Sequence, residues 1–587
     1  MNVKCAERAS MSNPETIIDN VYKVFNYSGR DFLKHAWREV VGSNISIVEA
    51  PTGYGKTTLS QAFTLYNLIF GFKSVISYPL RTLLEDQLNK FRMLGEKLGL
   101  KDFVGSRYMG HHESYYYVKP VTLTTIDTLS MCIFGLEPSE LDRYLKALYI
   151  GESITSTLGH YLFSKATVLL SNIVLDETHL LADSIKSLNF LAALVIIAHN
   201  NDLKLLLESA TLPDAFIHEL KRVYSGINVV KFSEDMDPEF VEEREKKEID
   251  YMKPVEVGED KYEKIMEWLM EAEKNLSDQG LRALVVFNTV REAVEFYNYL
   301  KKYSGKIGVS NDNVILIHSR YKEKDRGDRV DKIRELSNML KEAIKNKQDT
   351  KNIQYIIVAT QVIEAGVDVS SNVFITDIAP ANSLIQRMGR FLRYPGEKYG
   401  YLRIWYEDLK QFKNKYKVYD HSLVQRTLDQ LIVFKTFNPH LPSKYRELIN
   451  NVYRIEDFAI NTSEVNDLAT LYLGLAHVKR AIEKFLDMGG SFIRDSIQIP
   501  VIAESDLSSK NIYESLIPMS IEALKPQIVV GVLVKRGNEL EQEELNAEGL
   551  SIKGLRTILR RRSMMPDFIG VVVRGKYDYE KGLVLEV

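Results

Sequence analysis

Cysteine is almost missing from this chain: Cys5 and Cys132 are the only two in 587 residues. That excludes a disulfide framework or a cysteine-built zinc cluster and fits a reducing cytosol. No stretch approaches the roughly 18 unbroken apolar residues of a membrane span, and the N-terminus lacks the apolar core of a signal peptide. The expectation is a cytoplasmic protein with no membrane partner. Charge of one sign is lacking as well: 76 Lys and Arg face 79 Asp and Glu, for a formal net charge of −3. Bulk attraction to nucleic acid is thereby disfavoured, whereas a local basic groove is not. Internal repeats and low-complexity tracts are absent too.

What is present is an ordinary globular composition, 45% apolar and 26% charged, in a chain too long for one core. Two segments alternate short apolar strands with helical patterns, as parallel sheets covered on both faces do. The first carries "ISIVEA", "KSVISYP", "SNIVLDE" and "LKLLLES"; the second carries "RALVVFNT", "NVILIHS", "IQYIIVAT" and "NVFITDI". The predicted fold class is α/β: two tandem RecA-like parallel-sheet domains, a helical insertion and a mixed C-terminal accessory domain. The expected bounds are 1–235 for the first domain, with the insertion at about 128–168, then a charged solvated linker at 236–260. The second domain is expected at 261–410 and the accessory region at 411–587, helical at first and β-like at its end.

The strand-like "ISIVEA" runs into "PTGYGKTT" and then a helical pattern, the context of a phosphate-binding loop. Gly53 and Gly55 allow backbone N–H groups to turn toward phosphates, and the following helix N-terminus adds positive partial charge. The nucleotide would be held by Thr52, Gly53, Tyr54, Gly55, Lys56, Thr57 and Thr58. Lys56 is placed to reach the β- and γ-phosphates, and Thr57 to ligate Mg²⁺. "NIVLDETH" ends a strand on two carboxylates at the edge where parallel sheets bind ligands. Asp176 suits Mg²⁺, Glu177 suits orienting or deprotonating the attacking water, and His179 would couple to the γ-phosphate. In "LIQRMGRFLR", Gln386, Arg390 and Arg393 can share one helical face, with Arg387 pointing elsewhere. A cross-domain arginine meeting the γ-phosphate would tie hydrolysis to domain movement.

Together "APTGYGKT", "YPLRTLLEDQ", "TLTTIDTL", "DETH", "SATLP", "VVFNTVREA", "VATQVIEAGVDVS" and "QRMGRFLR" resemble, in order, the motifs of superfamily 2 helicases and translocases. The resemblance covers roughly residues 20 to 400. It implies that Ser209 and Thr211 link hydrolysis to strand movement, and that Thr360, Gly366 and Asp368 touch nucleic acid, ribose and the γ-phosphate. It places Pro79, Arg81, Thr82, Thr125 and Asp127 of the first lobe, and Thr289 and Arg291 of the second, against a sugar–phosphate backbone. Contacts of that kind hold phosphates without reading sequence.

Within the superfamily the chain is similar to the helicase of type I CRISPR interference systems, through "VEAPTGYGKT", "TTIDTL", "VLDETH", "LIHSRY" followed by "KDR", and "VATQVIEAGVDVS". His318 and Arg320 of "LIHSRY" join the nucleic-acid contacts on that basis. The resemblance implies ATP and Mg²⁺ as cofactors and 3′-to-5′ movement on single-stranded DNA after recruitment by an RNA-guided surveillance complex. That family commonly carries an N-terminal His-Asp nuclease. With the Walker lysine already at position 56, the expectation is a helicase-only form whose nuclease is a separate subunit. His111-His112 lacks paired carboxylates, and Asp420-His421 runs in the reversed order. Leu33 stands where an adenine-reading glutamine belongs, with Arg30 and Phe32 nearby, so adenine specificity stays open. An RNA or DNA-repair helicase, or a regulatory ATP-binding scaffold, is the alternative. Lys553, Arg556, Arg560, Arg561 and Arg562 form a basic element that reads equally as a phosphate contact or as an internal partner of nearby acids.

Overall fold

The computed structural model describes residues 13–586 apart from 109–110, 142–160, 183, 365, 411–417, 474–477, 510 and 566. The chain divides into two units. One runs to Pro238 and takes in Tyr453–Ile497; the other comprises Glu239–Val452, Gln498–Ser563 and the chain from Asp567.

The first unit is built on seven strands: β1 (Ile45–Glu49), β2 (Lys73–Tyr78), β3 (Val104–Arg107), β4 (Val121–Thr125), β5 (Ser171–Leu175), β6 (Leu205–Ser209) and β7 (Asn228–Lys231). Their order is β3-β4-β2-β5-β6-β1-β7, and every neighbouring pair is parallel. Strands β1, β4, β5 and β6 are buried along their whole length, as strands covered on both faces must be. Because all run the same way, their C-terminal ends share one edge, and the loops that leave it carry the chemistry.

The second unit holds β8 (Glu248–Tyr251), β9 (Val255–Glu256), β10 (Arg282–Val286), β11 (Val314–Ile317), β12 (Tyr355–Ala359), β13 (Val373–Asp377) and β14 (Tyr399–Tyr406). The order is β11-β12-β10-β13-β14-β8, with β9 also on β14, again all parallel. A five-stranded mixed sheet follows, formed by β15 (Gln498–Ala503), β16 (Ile517–Ser520), β17 (Val529–Arg536), β18 (Glu539–Glu544) and β19 (Phe568–Val573) in the order β16-β15-β19-β17-β18. The hairpin β20 (Gly575–Asp578) and β21 (Gly582–Leu585) closes the chain.

Two expected boundaries shift. The stretch 236–260 is no solvated linker. Asp237 accepts hydrogen bonds from Tyr54 Oη and Arg30 Nη1, both at 2.9 Å. Lys247 is buried and donates to the carbonyls of Leu392, Tyr394 and Glu397, after which β8 joins the second sheet. Most charges of the stretch stay exposed, as at Glu242 and Lys246, but Asp237 and Lys247 anchor it to the fold. Nor does 411–587 form one body. Helix Thr462–Leu471 packs on helix Ile185–Asn200 of the first unit, with the Asn461 N–H donating to Asn189 Oδ1 at 3.0 Å. The mixed sheet groups with the second unit. The expected insertion at 128–168 lies partly outside the described residues. Its described parts include the end of helix Ile126–Ile133, the turn Pro138–Glu140 and helix Tyr161–Leu169.

Candidate active site

Strand β1 ends at Glu49 and helix Lys56–Ile69 begins seven residues later, so the loop between them must turn sharply. It does so at Gly53 (φ 77°) and Gly55 (φ 108°), left-handed positions where a side chain would be strained. The Ala50 N–H donates to Ser209 O at 3.0 Å, which ties the loop to the end of β6. Tyr54 pins it from the other side. Its ring packs edge-on against Phe32 and Phe232, its hydroxyl reaches Asp237, and the Arg30 guanidinium lies over its face. Leu33, at the place expected for a base-reading glutamine, is instead buried, 3.4 Å from where a Gly55 Cβ would be. Lys56 Nζ is 3.4 Å from Ala50 O, folded back across the loop it would leave on meeting a phosphate.

Strand β5 delivers Asp176 and Glu177 to the same edge. The Asp176 N–H donates to Ser77 O at 3.0 Å, and the Glu177 N–H caps Asp176 Oδ1 at 2.8 Å. Glu177 sits at φ 52°, a left-handed conformation that a non-glycine residue adopts at a cost of order 1 kcal/mol. Burial and the adjacent Glu177 charge push Asp176 up to about 7, against the pull of Lys56. Glu208, fully buried on β6 and hydrogen-bonded by Ser60 Oγ, is raised by burial and by Asp176. Asp176, Glu177 and Glu208 thus influence one another electrostatically at an edge that also carries Lys56. Asp176 and the Thr57 hydroxyl are the residues that would hold Mg²⁺, the remaining ligands being water and phosphate oxygen, as is usual for this ion. Bound there, the ion supplies charge neutralisation of the phosphates.

A pH dependence follows. Binding of a divalent cation requires ionised Asp176, so it releases a proton while pH lies below the raised value. Magnesium-dependent nucleotide affinity should therefore strengthen as pH rises from about 6 to 8, and Asp176→Asn should flatten the profile. Calorimetry in buffers of different ionisation enthalpy measures the released proton directly. Stability runs the other way: a carboxyl raised above its unfolded value destabilises the fold progressively as pH climbs from about 4 to 7.

His179 is buried, and burial lowers it to about 4, so it is neutral at pH 7. Its Nδ1 lies 3.3 Å from Glu177 Oε2 and is hydrogen-bonded to Ser209 Oγ at 3.0 Å. Ser209 Oγ in turn accepts from the Thr211 N–H at 3.2 Å. The carboxylate expected at the γ-phosphate and the two residues expected to transmit movement are therefore joined through one imidazole.

In the second unit, helix Ala381–Met388 stops before Arg390, so Gln386, Arg390 and Arg393 do not lie on one helical face as expected. Gly389 caps the helix and Leu392 takes φ 41°. Arg390 is buried and donates to Ile363 O and Glu364 O, both at 3.1 Å. Arg393 pairs with Asp368 at 3.0 Å. Gly366 is left-handed at φ 81°. Arg387 points inward, with Nε on Glu364 at 2.8 Å, Nη2 on Asn288 and Tyr419, and Nη1 on Thr376. Thr360 is buried at the end of β12, and Thr289 caps helix Val290–Tyr303 through Glu292. Arg291 is 83% exposed and paired with Glu295.

His318 departs from expectation. It is buried under the closing hairpin, Nε2–H donating to Lys581 O at 3.0 Å and Nδ1 accepting from the Arg320 N–H at 3.1 Å. Burial and Arg320 lower it to about 3, so it is a neutral pillar here rather than a surface contact. Arg320 O accepts from the Leu583 N–H at 2.8 Å. In the first unit Arg81 lies over the Tyr108 ring, and Thr125 caps helix Ile126–Ile133 at Thr128 N–H. Thr82 is partly buried in the first turn of helix Arg81–Lys97. The basic element resolves toward internal pairing: Arg556 and Arg560 bind Glu522, and Arg562 binds Asp567 and Glu543. Among the described residues no three His, Cys, Asp or Glu side chains cluster to hold a metal, and no helix is long and apolar enough to cross a membrane.

Sequence reasoning missed Glu208, Asp237 and Arg494. Glu208 carried a signal, as a lone acid in the apolar run "LKLLLES"; the other two lie in charged or mixed segments with none.

The fold and this site resemble those of helicase-type ATPases. A family model for the DEAD/DEAH box helicase matches residues 26–220, and a model for the C-terminal part of the CRISPR-associated nuclease/helicase Cas3 matches residues 279–396. Within that class the chain is similar to Cas3. It is 27% identical over 363 residues to a Methanocaldococcus jannaschii protein provisionally named CRISPR-associated nuclease/helicase Cas3, covering 59% of this chain and 40% of that one. The chain thus spans well under half of that relative. T. fusca Cas3, also solved with ADP and with AMPPNP, shares the fold at TM-score 0.62 and 16% identity, over 96% of this chain and 72% of that one. A chain from a CRISPR RNA-guided surveillance complex in a pre-nicking state does so at TM-score 0.57 and 17% identity, over 95% of this chain and 70% of that one.

Proposed function

We propose that this chain is an ATP-dependent, 3′-to-5′ single-stranded DNA translocase that unwinds target DNA in type I CRISPR interference, in the cytoplasm. A surveillance complex recruits it, and the nuclease is a separate His-Asp subunit. Lys56, Thr57 and Asp176 hold Mg²⁺-ATP, Glu177 orients the attacking water, and Gln386, Arg390 and Arg393 complete the site with Gly366 and Asp368. Pro79, Arg81, Thr82, Thr125, Asp127, Thr289, Arg291, Arg320 and Thr360 form the strand-facing set.

The observation that carries the reading is the His179–Ser209 hydrogen bond at 3.0 Å. A protein that only bound nucleotide would need no link between its water-orienting carboxylate and the "SATLP" loop. A motor needs one, because hydrolysis must be felt where the strand is held. The similarity to Cas3 supports the pathway.

Strand displacement tests the proposal. A duplex with a 3′ single-stranded DNA tail should be unwound with ATP and Mg²⁺, whereas a 5′ tail or an all-RNA substrate should not. Unwinding of RNA alone would favour an RNA helicase, and no unwinding despite nucleotide binding would favour a scaffold.

A further inference from the structure

The loop that follows helix Val478–Asp487 turns at Gly489 and Gly490, both left-handed, and lies on the first unit's sheet edge. It is held firmly. Phe492 is fully buried and its ring sits 4.7 Å from that of Phe134. Lys186 Nζ donates to Met488 O at 2.5 Å and to Arg494 O at 3.1 Å, and Ser184 Oγ donates to Ile493 O at 3.3 Å. Ser491 Oγ accepts from the N–H groups of Ile493 and Arg494. The loop is therefore fixed by buried packing and five hydrogen bonds, two of them on the backbone of Arg494.

Its side chain reaches Asp127. Nε donates to Oδ1 at 2.8 Å and Oδ2 at 3.0 Å, and Nη2 donates to Oδ2 at 2.7 Å and to Pro79 O at 3.1 Å. Nη1 makes no hydrogen bond to any described residue, and the side chain remains 42% exposed. A guanidinium anchored along one side and open at the other is a pre-oriented phosphate donor.

We infer that Arg494 is a strand-phosphate contact contributed from outside the helicase motifs, and that Asp127 serves by orienting it rather than by touching the strand. This rests on the reading of the sheet edge at Pro79, Arg81, Thr125 and Asp127 as strand-facing. Charge supports the division of labour. A bare carboxylate repels phosphate, whereas a carboxylate that fixes an arginine helps to bind it. The segment Tyr453–Ile497, which packs on the first unit, thereby gains a role in grip.

Fluorescence anisotropy of a labelled oligo-dT strand with the full chain, across a salt series, tests this. Arg494→Gln should weaken binding about tenfold at low salt, the size of one charge-assisted hydrogen-bonding group. It should also reduce the slope of log affinity against log salt by about 0.7, one phosphate on a single strand. Arg494→Lys should recover the slope but only part of the affinity. Asp127→Asn should weaken binding several-fold although it removes a negative charge; a purely electrostatic role would strengthen it. The inference is overturned if Arg494→Gln leaves the slope unchanged, or if Asp127→Asn binds as tightly as the parent or more so. Arg81→Ala separates the two levels. If it weakens binding and the Arg494 and Asp127 variants do not, only this inference fails. If it too has no effect, or the parent chain binds no strand, the strand-facing reading fails with it.

Discussion

Replacing Glu177 by Gln is expected to lower strand-stimulated ATP turnover by roughly 10²–10⁴-fold while nucleotide still binds. The change is nearly isosteric. It keeps the left-handed turn after β5 and the backbone cap on Asp176, and it removes one of the crowded carboxylate charges. What it loses is the ability to take or orient a proton of the attacking water, a loss specific to the chemical step. The cost should therefore appear in kcat and leave KM little changed, as when an interaction made only in the transition state is removed. Lys56→Ala should fail differently. The β- and γ-phosphates lose their cation, so nucleotide affinity and turnover fall together. Single-turnover hydrolysis and equilibrium nucleotide binding, measured side by side, separate the two. A Glu177→Gln variant with full strand-stimulated activity would remove that residue from the reaction.

The second large effect lies beside the proposed arginine fingers and concerns stability. Arg387→Leu should destabilise the second unit by about 3–5 kcal/mol, because buried Glu364 loses its charged partner. Burial already raises Glu364, with Arg387 opposing that shift. Asn288, Thr376 and Tyr419 lose donors in the same substitution. The chain has three tryptophans, and Trp268 and Trp405 both lie in the second unit's core. In a Trp37→Phe background, urea unfolding followed by tryptophan fluorescence therefore reports on this unit. A shift below 0.5 kcal/mol, the size typical of surface changes, would mean that the Arg387 network is not the buried pair described.

Much of the two parallel sheets was legible in the sequence because the central strands are apolar runs and the loops that leave them carry charged or glycine-rich motifs at fixed places. Of the strands that escaped notice, β4 ("VTLTT") and β14 ("YGYLRIWY") are β-branched or aromatic and were missed all the same, while others do not look like strands. Strand β3 is "VGSR", β7 is "NVVK" and β8 is "EIDY"; each is short and rich in polar atoms, and β3, β7 and β8 form sheet edges. The helical face proposed for Gln386, Arg390 and Arg393 failed because periodicity does not see where a helix stops. Gly389 ends it, and Arg390 then turns back onto the Ile363 and Glu364 carbonyls. The candidate nucleotide-site residues of the first unit lie together because one sheet edge carries them. Glu208 left one signal, a lone acid in an apolar run, but its full burial beside Ser60 of helix Lys56–Ile69 emerges only from packing. Arg494 was invisible for a different reason: its partner Asp127 lies 367 positions away, and no local pattern encodes a contact at that distance.

The central claim is that nucleotide hydrolysis by this chain serves movement on single-stranded DNA. Steady-state ATP hydrolysis by the purified full chain, with Mg²⁺, in the absence and presence of single-stranded DNA and of single-stranded RNA, tests it most directly. Low turnover is expected without a strand, with strong stimulation by DNA, little by RNA, and no stimulation in Lys56→Ala. Turnover that is the same with and without DNA, or that only RNA stimulates, would contradict it.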